Sequence, residues 1–199
     1  MSESKPVRCG NTRSNAGAVR PVSGKVIFSD TVAKGPAPMP KFSWHTDPVP
    51  AGLAVRQVYG FLFVPDGRLL IRLDGSKHTL PGGRPEPGEI AYADILRRET
   101  MEEVTVDIDE PHYLGYQCVD DGISPYAQVR MAAVISCAYP AAPDPDSGRT
   151  YRRLLVHPSK AGDLLAWGET GYLQATCAAE AAVQVLGLPA EGLPPTGEL

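Results

Sequence analysis

Regular alternation of apolar and polar positions begins near Val55 and predicts most elements of the chain. Val58 to Val64 and Arg68 to Leu73 flank an Asp66-Gly67 pair, which supplies the positive φ angles of a tight β-hairpin turn. Further on, the period lengthens. At about 100° per residue, Ala93, Leu96, Thr100 and Val104 cluster on one arc and predict a helix with a buried face. Tyr113 to Val119 and Ala127 to Tyr139 then read as strands joined by residues 120 to 125, and a loop from Pro140 to Gly148 leads to a strand at Arg149 to Val156. Two helices close the pattern. Ser159 is a candidate cap for a short one through Trp167 and Gly168. The longer one, about Tyr172 to Leu186, ends at Gly187 with Pro189 beyond, and its apolar side should cover the sheet. No internal repeat or heptad seam interrupts this order.

The first quarter is different. Residues 1 to 50 are rich in Pro, Gly, Ser and Asn and keep no sustained period, which predicts a loosely ordered extension with Val26-Ile27-Phe28 as a short strand. Phe42, Trp44 and His45 can pack on the main domain or on a second subunit, so a homodimer is one expectation. The expected division is an extension over 1–50, a domain over 51–188 and a tail over 189–199.

The helix of the middle region carries the densest chemistry. Glu99, Glu102 and Glu103 fall within about one third of its circumference, beside the buried arc. Like charges three and four residues apart destabilise a helix, so something positive is expected among them. A hard cation such as Mg²⁺, which takes carboxylate oxygens and bridges to phosphates, meets that need. A solvated face with ordinary charge pairs is the competing reading of such a segment. Ahead of the helix, Leu80-Pro81-Gly82-Gly83 makes a turn that glycine makes at low cost, and Glu86-Pro87-Gly88-Glu89 makes a second one.

Loop and helix together resemble the Nudix box: G, five residues, E, seven residues, R, E, an apolar residue, any residue, E, E, any residue, G, an apolar residue. Gly83, Glu89, Arg98, Glu99, Glu102, Glu103 and Val106 match it. Three positions depart from it. Eight residues separate Glu89 from Arg98, Thr100 stands at the apolar position, and Thr105 replaces the glycine. The resemblance implies an α/β fold, a Nudix-type α/β/α sandwich with a mixed β-sheet between helices. It also implies Mg²⁺-dependent hydrolysis, with Mn²⁺ as a substitute, of a pyrophosphate bond in a nucleoside diphosphate linked to another group. By the same resemblance Glu99 and Glu103 are the principal metal ligands. Glu102 is a further ligand or holds metal-bound water, the Gly82 carbonyl is a backbone ligand, and Arg98 orients the glutamates. Glu89 is the box carboxylate whose seating the extra residue puts in question. A Nudix domain that binds a nucleotide-like ligand without turnover is the alternative.

Composition narrows the partners. The 199 residues are 43% hydrophobic, enough for one core, and the net charge of −4 offers no basic footprint for duplex nucleic acid. No apolar run approaches the roughly 20 residues of a membrane span. Cys9, Cys118, Cys137 and Cys177 are widely spaced, and no signal-like apolar run opens the chain, so free thiols in a reducing cytoplasm are expected.

A general base is sought on loops outside the box. Asp144 and Asp146, Asp120 and Asp121, and Glu169 are candidates, with Asp146 and Glu169 ahead because their loops can swing over the site; each is also ordinary turn chemistry. A substrate pocket needs an aromatic wall, for which Tyr59, Tyr116, Tyr126, Tyr151, Trp167 and Tyr172 are available. Arg130, Arg149, Arg152 and Arg153 are candidate phosphate clamps, although strand alternation sends Arg152 and Arg153 to opposite faces. His45, His78, His112 and His157 are scattered and read as structural or exposed.

Overall fold

The computed structural model describes residues 39–199. Its strands are β1 (Lys41–His45), β2 (Ala54–Phe63), β3 (Leu69–Asp74), β4 (Lys77–Thr79) and β5 (Gly82–Gly83), followed by helix α1 (Tyr92–Val104). After it come β6 (Val106–Ile108), β7 (His112–Asp120), β8 (Tyr126–Ala138) and β9 (Arg152–Val156), then α2 (Ala161–Leu165), α3 (Gly168–Gln184) and β10 (Gly197–Glu198). The sheet order is β1-β7-β8-β2-β3-β9-β10, with β4 on β3, β5 on β2 and β6 on β8. Only β2 and β8 run parallel, so the sheet is mixed.

Strand alternation builds two cores, one on each face of the sheet. From β2, Val58 and Leu62 join Ile95, Leu96 and Val104 of α1 on one face. Phe61 and Phe63 point the other way and meet Ala175, Ala178, Ala181 and Ala182 of α3. The small alanines let α3 lie close to the sheet. On β2 a side chain at Gly60 would run into Leu62 and Leu96, so its absence lets α1 do the same. The result is the α/β/α sandwich that the resemblance implies.

The hairpin forms where expected, although Gly67 alone of the Asp-Gly pair takes a positive φ. Gly67 has φ +89°, its N–H donates to the Val64 carbonyl at 2.8 Å, and the Asp66 carboxylate accepts from the Arg68 backbone N–H at 3.0 Å. Elsewhere the structure revises boundaries. Lys41–His45, placed by the pattern in the extension, form an edge strand on β7. His45 stacks on Tyr116 with ring centroids 4.9 Å apart, and Trp44 lies over Gly115, where any side chain would collide with it. Trp44 and His45 are thus packed within the chain, whereas Phe42 is 50% exposed. The tail contributes β10, seated on β9. The expected strand at Val26-Ile27-Phe28 lies outside the described residues, as does Cys9. Cys118, Cys137 and Cys177 are free thiols. No helix among the described residues is long and apolar enough to cross a membrane.

The closing helices also begin at other positions than expected. His157, not Ser159, caps the 3₁₀ turn before α2, its ring accepting from the Ser159 N–H. Ala166, with φ +53°, breaks the chain direction, and α3 starts at Gly168.

Both chemical departures within α1 have a local answer. Thr100 is fully buried but returns its hydroxyl to the Arg97 carbonyl at 3.0 Å, leaving only its methyl for the core. Thr105 ends α1 with φ 48° and ψ 52°, a left-handed conformation that costs a β-branched residue roughly 1–2 kcal/mol. Arg153 of β9 offsets this, donating to Thr105 Oγ1 at 3.3 Å, to the Val104 carbonyl at 3.2 Å and to the Tyr139 carbonyl at 2.8 Å. Thr105→Ala keeps the strained backbone and loses the hydroxyl, whereas Thr105→Gly loses the hydroxyl and the strain together. Urea unfolding should therefore find the glycine variant about 1 kcal/mol more stable than the alanine variant; equal midpoints would mean that the αL backbone carries no penalty here.

Candidate active site

Helix α1 presents its acidic face to a cleft of about 390 Å³. Glu99, Glu102 and Glu103 line it together with Arg98, the Gly83-Arg84-Pro85-Glu86 loop, and Asp144, Asp146, Ser147 and Tyr151 of the loop before β9. The sheet sets the loop's position. Gly82 and Gly83 pair with Tyr59 and Val58 of β2, and a methyl group on Gly83 would land on the Glu99 carboxylate. Only glycine lets the loop lie that close to α1.

Arg98 organises the carboxylates. Its Nε donates to Glu89 at 2.9 Å and Nη2 to the same carboxylate at 3.0 Å. Nη1 donates to Glu102 at 2.9 Å and lies 3.0 Å from Glu99, and Nη2 also bonds the Arg84 carbonyl at 2.9 Å. These contacts hold the guanidinium firmly protonated, Glu89 contributing most. Ile90, ahead of α1, is 88% exposed, and Glu89 reaches Arg98 with eight residues between them. The Glu89 carboxylate accepts from the Glu86 N–H as well at 2.7 Å, and the Arg98 bond followed by this one depresses its pKa.

Glu103 has a separate clamp. One oxygen pairs with Arg72 of β3 and the other accepts from the Gly82 N–H at 2.9 Å. Arg72 is fixed in turn by Thr79 Oγ1 at 2.9 Å and lies over the Tyr151 ring, 4.5 Å from its centroid. Burial raises the Glu99 pKa above the usual carboxylate range, more than Arg98 lowers it, with Glu102 and Asp144 adding to the rise.

The base candidates separate. Asp144 is buried and holds its own loop, accepting from the N–H groups of Asp146 at 3.0 Å and Ser147 at 2.6 Å. Asp146 lines the cleft beside it, opposite the helix carboxylates. Glu169 does not; it sits exposed in the first turn of α3. Asp120 and Asp121 cap the β7–β8 turn through the N–H groups of Gly122 and of Ile123 and Ser124.

Of the phosphate-clamp candidates, Arg149 pairs with Asp74, Arg152 with Glu198, and Arg153 is spent on the end of α1. Arg72, which the sequence reading passed over, is the arginine that holds Glu103. Its signal was its place in the first hairpin, leading straight to the glycine loop.

Among the described residues no three Asp, Glu, His or Cys side chains stand ready as a metal cluster. Arg98 and Arg72 supply the positive charge between the carboxylates instead. The donor set nonetheless suits a hard divalent ion, since Glu99, Glu102 and Glu103 line the cleft with carboxylate oxygen alone.

Comparison with known proteins gives a family. Residues 54–171 match the profile of the NUDIX domain, from β2 into the first turn of α3. No curated protein matches the chain. Among solved structures, a protein from Listeria monocytogenes described as a NUDIX hydrolase superposes with a TM-score of 0.50 at 18% identity, over 68% of this chain and 99% of that one. A NUDIX hydrolase from Nitrosomonas europaea gives 0.48 at 19% identity, over 62% and 85%. The pyrophosphohydrolase BsRppH of Bacillus subtilis gives 0.45 at 21% identity, over 51% of this chain and 63% of that one.

The raised Glu99 pKa predicts a pH-dependent cost. Because the folded value lies above the unfolded one, ionising Glu99 destabilises the fold as pH rises through the folded value. Glu99→Gln removes this cost, so its thermal midpoint near pH 7 should exceed that of the wild type, and the gap should close below about pH 4. A lower midpoint for the variant at pH 7 would mean that the Arg98 pairing outweighs burial.

Proposed function

This chain belongs to the Nudix family of pyrophosphohydrolases, and from that membership we propose that it cleaves a nucleoside diphosphate linked to another group by water attack at phosphorus. The observation that carries the proposal is the gathering of Glu99, Glu102 and Glu103 on one face of α1, against the Gly82-Gly83 loop. Nudix enzymes use divalent cations. Mg²⁺, or Mn²⁺ in its place, bound by Glu99, Glu102, Glu103 and the Gly82 carbonyl would neutralise phosphate charge and acidify water at the site.

The chain's own residues have distinct tasks in this reading. Arg98 keeps Glu89, Glu99 and Glu102 in one orientation before the substrate arrives. Arg72 holds Glu103 and, released from it, can meet a phosphate oxygen with its planar fork of donors. Asp146 and Glu102 are the carboxylates offered as proton acceptors for the attacking water, both lining the cleft.

The satisfied state of the carboxylates, with arginine on each, is what favours the second reading, a Nudix domain that binds a nucleotide-like ligand without turnover. Phosphate release over a nucleotide panel with Mg²⁺ or Mn²⁺ decides between them. Wild type should turn over at least one substrate, and Glu103→Gln should lose on the order of 100-fold in kcat; equal rates in both, or ligand binding with no turnover in either, would defeat the hydrolase reading. Gly83→Ala probes the loop. Its methyl displaces the Glu99 carboxylate, so turnover should fall about tenfold or more while stability changes by only about 1 kcal/mol. Full activity in that variant would show that the close approach of loop and helix is dispensable.

A further inference from the structure

On the other side of Arg72 lies a second cavity, of about 440 Å³, whose electrostatics are the reverse of the first. Its lining includes Arg72, Lys77 and Arg130, with Tyr59 and Trp167 as an aromatic wall and Gln128 beside them, and among the described residues it contains no acid. Arg130 is 1% exposed. Its acceptors are all neutral: Gln174 Oε1 at 2.7 Å, Gln128 Oε1 at 3.2 Å and the Val129 carbonyl at 3.3 Å. The guanidinium carbon stands 4.8 Å from the Tyr59 ring centroid and 5.0 Å from that of Trp167.

This arrangement satisfies geometry and leaves charge uncompensated. A guanidinium has five N–H donors, and three bonds are made. Aromatic faces return part of the cost of burying a cation, but a buried charge with no counter-charge is destabilising, and burial lowers the Arg130 pKa to about 10. The fold nonetheless braces the group, through a chain of amides in which Gln174 donates to Gln117 at 2.6 Å, Gln117 to Gln128 at 3.3 Å, and Gln128 to Gln57. Lys77 has no carboxylate within salt-bridge distance among the described residues. Trp167 is set in the wall by the left-handed backbone at Ala166, which also lines the cavity, and strained positions of this kind collect at ligand sites. Three cations, an aromatic wall and no acid together make a receptor for an anion next to a planar ring.

Arg72 ties this cavity to the acidic cleft, because it lines the one and pairs with Glu103 in the other. We propose that the cavity anchors a phosphate-bearing part of the substrate beyond the pyrophosphate that is cut. The favoured class is then a dinucleoside polyphosphate or nucleoside triphosphate, ahead of a nucleoside diphosphate whose second group is a neutral sugar. The assignment rests on the pyrophosphohydrolase reading for the bond cleaved, and on the basic cavity alone for the preference.

Two measurements test it. The ratio of kcat/KM for a dinucleoside tetraphosphate to that for a nucleoside diphosphate hexose should favour the tetraphosphate in the wild type and fall about tenfold in Lys77→Ala, the value of one charged hydrogen bond. Calorimetric titration of tripolyphosphate into the full chain, with chelator and no divalent ion, should show binding that weakens by a similar factor in the same variant and more in Lys77→Glu. An unchanged ratio in Lys77→Ala, or no tripolyphosphate binding by the wild type, overturns the anion site even if pyrophosphate substrates are hydrolysed. Tripolyphosphate binding that depends on Lys77, without turnover of any substrate, supports the anion site and defeats the hydrolase reading instead.

Discussion

Glu99, Glu102 and Glu103 repel one another on a single helix face, and the guanidinium of Arg98 is the group that lets them stay there. An exposed ion pair would contribute little. Arg98 and Glu89 are each only 20% exposed, however, and the fork of donors engages Glu89 twice, Glu102 once and the Arg84 carbonyl once. Charge-assisted bonds in such a partly enclosed setting are worth more than their surface counterparts. The same residue therefore joins the glycine loop, the segment before α1 and the helix into one unit. Helix, loop and cleft share this dependence, since without the cation the carboxylates would have to disperse or take up protons.

That unit is seated by the sheet. β2 is the common element, carrying Val58 and Leu62 towards α1, Phe61 and Phe63 towards α3, and the loop glycines as the partners of Val58 and Tyr59. For the close approach to α1 glycine is required at Gly60, under Leu96, and at Gly83, under Glu99. Function and packing thus draw on one set of positions: the spacing that buries Leu96 also sets how far Glu99 stands from the loop.

The legible part of the molecule was the part governed by local rules. Period-2 alternation marked β2, β3, β7 and β8, the Asp66-Gly67 pair marked their first turn, and the charge pattern marked the acidic face of α1. Short strands were not legible. Lys41–His45 lie in a Pro-rich stretch with no internal period and are strands only because the edge of β7 offers a ladder; β10 likewise depends on β9. The base candidates show the same limit. Asp146 and Glu169 were indistinguishable as loop carboxylates, and only the return of the chain through β9 puts one in the cleft and the other on the far helix. Arg130 was named as a phosphate clamp, but Arg72, and the depth at which Arg130 is buried, were obscured for another reason. Each sits within an apolar strand, where a lone cation reads as an outward-facing residue, and only the assembled sheet turns them inward.

The pairing of an acidic and a basic compartment follows from the order of strands. Arg72 lies on β3 and Glu103 on α1, while Arg130 lies on β8 and Lys77 on β4. Because β2 sits between β8 and β3, the cations of two strands distant in sequence converge around Tyr59, whose own pKa is raised by burial and lowered in part by Arg130 and Arg72. Arg72 stands where the two fields meet, with Glu103 on one side and the cation-lined cavity on the other. A polyanion entering from the basic side lowers the cost of parting Arg72 from Glu103, because the guanidinium exchanges one anion for another rather than being left alone in a partly buried site. On the proposed reading, that exchange would free a carboxylate oxygen on α1 as a phosphate arrives, and occupancy of the basic cavity would be coupled to readiness of the acidic cleft through one side chain.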